Sequence, residues 1–124
     1  MPLQHPVETL ERKSLFAAHQ LMPVISGKIT VASGEGKLTV GALLTAEGKL
    51  CGKTADSGSG STVDEVYAVL AEDVDATSAA VEAACFLTGE FLEDALSFDT
   101  ANTATIDDFV VSARKVSIFI RPAL

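Results

Sequence analysis

Eleven consecutive residues, Val81-Glu82-Ala83-Ala84-Cys85-Phe86-Leu87-Thr88-Gly89-Glu90-Phe91, set the tightest limit on what this chain can fold into. Their odd members include Val81, Ala83, Cys85, Leu87 and Phe91; their even members include Glu82, Thr88 and Glu90. Side chains alternate across a strand, so this period of two turns the odd face to a core and the even face to solvent. A strand this long needs sheet partners to satisfy its backbone polar groups.

The rest of the chain supplies them. Lys28-Ile29-Thr30-Val31 is short and β-branched, and Ser33-Gly34-Glu35-Gly36 reads as the turn after it. Residues 38–45 read as one strand carrying Gly41, where a bulge or close backbone approach is expected. Glu47-Gly48-Lys49 makes a turn, and Leu50-Cys51-Gly52 a short edge piece. Asp56-Ser57-Gly58-Ser59-Gly60-Ser61 reads as a plain surface loop, since it lacks the Lys and the following helix of a phosphate cradle. Residues 66–71 read as a strand buried on both faces or nearly so, and residues 72–78 as a polar connection. Thr105 is expected to cap a helix with Asp107 and Asp108 in its first turn. Ile106, Phe109, Val110 and Ala113 share its apolar face, and Arg114 and Lys115 suit its C-terminal end. Residues 116–120 read as the last strand, closed by Pro122. The expected architecture is a small, mainly β domain over residues 27–124 with one short helix toward its C-terminal side.

Residues 1–26 read differently, as a terminal arm punctuated by Pro2, Pro6 and Pro23. Residues 7–18 fit either a short helix starting on Pro6 or an extended arm that orders on contact. A length of 124 residues leaves room for one domain. Eighteen of those residues are Ala, seven are aromatic and none is Trp, so the core is thin in large side chains. Help from neighbouring subunits is the expected remedy.

Charge narrows the partners. The net charge is -8, and from Asp56 to Val111 thirteen acidic residues run without a Lys or Arg, before Arg114, Lys115 and Arg121 close the chain. Such a block repels a phosphate backbone and an anionic membrane surface, so neither nucleic acid nor membrane is an expected partner. No segment approaches the roughly 18 apolar residues of a membrane span, and the start lacks the regions of a signal peptide. Cys51 and Cys85 are too few for a disulfide scaffold and read as two buried thiols in a reducing compartment.

No active site is legible. Glu72-Asp73-Val74-Asp75 and Glu93-Asp94 have carboxylates that could run acid–base chemistry, but no cationic partner lies nearby in sequence, and they read as solvated loop acids. A calcium loop starting at Asp73 would need Gly and Glu where Ser78 and Ala84 stand. His5 and His19 both lie in the arm without metal-ligand spacing, and no nucleophile elbow surrounds Ser59. Neither catalytic residue, metal nor cofactor is expected. A small soluble β-barrel that binds a ligand is the alternative reading, with a hydrolase built on the acidic loop a remote third.

Tyr67-Ala68-Val69-Leu70-Ala71-Glu72-Asp73-Val74-Asp75-Ala76-Thr77, then Leu87-Thr88-Gly89-Glu90-Phe91 and Ala95-Leu96-Ser97-Phe98, resembles the head decoration protein D family of lambda-like tailed bacteriophages. Lys28-Ile29-Thr30-Val31-Ala32-Ser33-Gly34 and Gly41-Ala42-Leu43-Leu44 look like its opening strands, and residues 106–120 like its closing helix and strand. The resemblance covers roughly residues 27–121. It implies a β-clip-like antiparallel fold in which Leu70, Ala71, Asp73, Asp75, Ala76, Thr77, Gly89, Glu90 and Phe91 are structural positions. It further implies a homotrimer, made in the host bacterial cytoplasm, that decorates the outer surface of the expanded phage or prophage head. There it would bind the major capsid protein at threefold and quasi-threefold positions and stabilise the shell against packaged DNA. The arm would face the capsid, with Leu10, Leu15, Phe16, Leu21 and Val24 as candidate contacts.

Overall fold

The computed structural model describes residues 23–55 and 61–122. Among them are nine strands and one α-helix: β1 (Ile25–Val31), β2 (Gly36–Leu38), β3 (Leu43–Leu44), β4 (Lys53–Ala55), β5 (Ser61–Val63), β6 (Ala68–Leu70), β7 (Val74–Ala76), β8 (Val81–Leu92), α1 (Asp107–Lys115) and β9 (Ile118–Arg121). The fold is mainly β, as the alternation demands, and among the described residues no sheet closes into a barrel.

β8 is the spine. It pairs antiparallel with β1 and with β6, and β6 pairs antiparallel with β3. Its last four residues pair instead with β9, in parallel. Two small antiparallel pairs, β2 with β7 and β4 with β5, complete the strand set.

The central sheet buries both of its faces. Leu44, Ala68, Leu70, Ala83 and Cys85 enter one core, which Ile29, Val31, Leu38 and Ala76 complete. Leu43, Val69 and Phe91 enter a second core with Cys51, Leu96, Phe109, Ala113 and Ile118. Adjacent residues of β3 and β6 thus serve opposite cores, which is why residues 66–71 carry so few polar side chains. Phe91 and Phe109 are fully buried, and each contributes roughly 1.5–3 kcal/mol through the apolar area withdrawn from water. Four of the ten buried members of the first core are not large: Ala42, Ala68, Ala76 and Ala83.

The structure corrects several local expectations. Residues 38–45 are not one strand, because Gly41 takes a φ of 99° and turns the chain between β2 and β3. Gly41 N–H donates to Leu70 O and Ser97 N–H donates to Gly41 O, so the close approach expected there does occur, at a turn. The piece 50–52 is no edge: Leu50 bridges Leu44, and Cys51 is fully buried. The connection 72–78 contains β7, and Ser61 begins β5.

β8 itself departs from simple alternation. Ala83, Cys85 and Leu87 face the first core, yet Phe91, of the same parity, lies in the second beside Phe86, their ring centroids 5.9 Å apart. The switch falls at Gly89, whose φ of 145° is one that side chains with a Cβ rarely adopt. Past this point Glu90, expected in solvent, is buried, with Arg121 Nη1 2.6 Å from its Oε1.

The helix begins as the acids suggested, with a different cap. Thr105 does not cap it through its hydroxyl; Thr105 N–H instead donates to Asp108 Oδ2 at 2.8 Å, and no side chain caps the first turn. Phe109 and Ala113 are buried on the inner face, with Arg114 and Lys115 in the last turn. Val116 and Ser117 are turn residues, Ser117 at a φ of 66°, so the last strand runs over 118–121 rather than 116–120.

Candidate functional site

The carboxylates that invited an acid–base reading are engaged separately. Ala84 N–H donates to Glu72 Oε2 at 2.7 Å, and Val40 N–H donates to Asp73 Oδ1 at 3.0 Å. Asp75 Oδ1 accepts both the backbone N–H and the hydroxyl of Thr77. Those two bonds hold the Asp75 carboxyl below its ordinary range, the hydroxyl having the larger effect. Three neighbouring acids therefore serve three different segments of backbone.

The same use recurs along the chain. Leu50 N–H donates to Glu35, Gly52 N–H to Asp64, and Ala101 N–H to Asp99. Loop N–H groups lack a ladder partner, and a carboxylate supplies a strong acceptor. Sequence reasoning missed these roles; the available signal was an acid placed beside Gly or at the end of a short β segment.

The family-motif residues fall into three groups. Leu70, Ala76 and Phe91 are fully buried core. Ala71 N–H donates to Ala84 O, so with Asp73, Asp75 and Thr77 it fixes the passage from β6 through β7. Gly89 and Glu90 join β8 to β9: Gly89 N–H donates to Ser117 O, and Glu90 receives Arg121. The Glu90–Arg121 pair was not legible as a pair, although an acid within an apolar strand and an arginine in the closing strand were its traces.

Neither thiol is poised as a nucleophile. Cys51 and Cys85 are free and buried. Burial, with a smaller push from the Asp64 charge, raises the Cys51 thiol to about 12, and burial also raises Cys85. Among the described residues, no group of three or more His, Cys, Asp or Glu could hold a metal ion, and no helix is long and apolar enough to cross a membrane.

The place where the N-terminal segment joins the body has a defined anchor. Thr88 Oγ1 donates to Pro23 O at 2.6 Å and accepts Ile25 N–H at 3.1 Å. Val24 and Ile25 stand 39% and 52% exposed there. They are two of the four large apolar residues exposed among the described residues, so the junction is an apolar spot on the surface. Of the five candidate arm contacts, Val24 is on this spot; Leu10, Leu15, Phe16 and Leu21 lie outside the described residues.

No curated protein matches the chain. A family model does: that of the bacteriophage lambda head decoration protein D matches residues 7–116, nearly the whole chain and both the acid-rich β6–β7 passage and the Gly89–Phe91 switch. The chain belongs to the head decoration protein D family, structural proteins of the phage capsid.

Proposed function

We propose that this protein is a homotrimer that binds the outside of the expanded phage head at threefold and quasi-threefold positions. There it clamps neighbouring major capsid proteins and stabilises the shell against packaged DNA. The family match over residues 7–116 carries this reading. Two physical features support it. An Ala-rich pair of cores gains from area buried between subunits, and three copies of a weak attachment act together through their high effective concentration.

The arm, residues 1–26, supplies the attachment in this reading. Its exit beside exposed Val24 and Ile25 sets an apolar base from which Leu10, Leu15, Phe16 and Leu21 reach the capsid. An extended segment can add a strand to a sheet edge there and gain main-chain hydrogen bonds.

Purified protein mixed with matching expanded capsids tests the proposal. Cryo-microscopy is expected to show three-lobed density at the threefold positions, and capsids so decorated are expected to survive heating that opens bare ones. Bare threefold positions at saturating protein would overturn it.

A further inference from the structure

Two grooves near α1 carry opposite charge. The first is lined by Val111, Arg114, Lys115 and Phe119. The second includes Glu47, Asp64, Glu65, Val66, Tyr67 and Val116. Each includes an exposed apolar residue, Val111 at 66% and Tyr67 at 42%. With Val24 and Ile25 at the arm junction, these complete the four large apolar residues exposed among the described residues.

The grooves are held in fixed relation. Val66 N–H donates to Ser112 Oγ at 3.2 Å, tying the floor of the acidic groove to the helix that forms a wall of the basic one. Asp64 is committed to Gly52 N–H, whereas no ion pair among the described residues uses Glu47, Glu65, Arg114 or Lys115. Two cations and two carboxylates are thus presented outward, each pair in a groove that also exposes an apolar residue.

We propose that the basic groove of one subunit seats against the acidic groove of a second copy, and that this head-to-tail contact closes the trimer. The inference rests on the trimeric reading above and deepens it by naming the surfaces. A twofold contact made through either groove alone would set like charge against like, cation on cation or acid on acid, which charge disfavours. Head to tail, Arg114 and Lys115 meet Glu47 and Glu65, while Val111 and Phe119 cover Tyr67 and Val116. Because the two grooves share no lining residue, each subunit can engage one neighbour through each, as a ring requires.

Sedimentation equilibrium on the full chain tests this. The wild type is expected to be a trimer. The reversals Arg114→Glu with Lys115→Glu, and separately Glu47→Lys with Glu65→Lys, should each weaken self-association about tenfold or more. Combining all four is expected to restore it. Mixing the two double variants should not, since a ring of three always leaves one like-charged contact. Should a reversal unfold the chain, Lys115→Gln and Glu65→Gln read the same contact, each expected to weaken the trimer and its dependence on salt. Trimers unaltered by every substitution would overturn the inference and leave the trimeric reading standing. A monomeric wild type would overturn both.

Discussion

At the scale of single residues, Phe91 and Glu90 show what alternation reads well and where it stops. Phe91 is expected in a core and is fully buried there, so Phe91→Ala should destabilise the subunit by about 3–5 kcal/mol, the lost transfer energy plus the cavity left behind. Urea melts check it, and a change under about 1 kcal/mol would show that the site collapses around the smaller side chain. Glu90 has the polar type of a solvent position, yet it is buried with Arg121 of β9 on its carboxylate. Charge type was legible; the neighbour that neutralises it was not, because Arg121 is distant in sequence. Cys51 makes a second residue-scale prediction. Its thiol is pushed up to about 12 from an ordinary 9.0, so near pH 8 it should resist alkylation until the chain unfolds. The linked stability is fully present below the unfolded value near 9.0 and falls as pH rises toward 12, since only the unfolded thiol then ionises. Rapid labelling of Cys51 under native conditions would contradict this.

At the scale of elements, length and pattern decided which strands could be read. β8 is long and apolar on alternate positions, and β6 is wholly buried, so both stand out. β7 is three residues of an acid-rich run, and its strand character comes from pairing with β2, a tertiary fact. β4 and β5 flank a Gly/Ser run whose composition hides the pairing of Lys53 with Val63 and Ala55 with Ser61. The parallel pairing of β9 with β8 depends on where the helix delivers the chain. Gly89 is the point on which β8 turns from one core to the other, and it carries the prediction at this scale. Gly89→Ala combines a φ of 145° with a Cβ 3.1 Å from Phe91 Cζ and 3.4 Å from Val24 Cγ2. It should cost about 1–3 kcal/mol in denaturant melts, most of it backbone strain. A neutral outcome would mean that β8 relaxes at the switch, in which case the shift of Phe91 to the second core has another cause.

At the scale of the whole molecule, the exposed apolar residues divide into the arm junction at Val24 and Ile25 and the two grooves beside α1. Five acids of the block that argues against nucleic acid, Asp64, Glu72, Asp73, Asp75 and Asp99, accept backbone N–H groups. The junction sharpens how the arm should be tested. β1 begins at Ile25, and Thr88 grips both Pro23 O and Ile25 N–H, so removing residues 1–26 also strips the end of a strand. Removing residues 1–22 spares that anchor. The shorter deletion is expected to keep the melting temperature of the full chain and its self-association, yet to lose most capsid attachment in co-sedimentation with expanded heads. The longer deletion should lower the melting temperature as well, because Thr88 loses both partners and the Ile25 end of β1 no longer covers β8. Undiminished attachment after removal of residues 1–22 would move the capsid contact from the arm to the folded body, with Val24 and Ile25 as its first candidates.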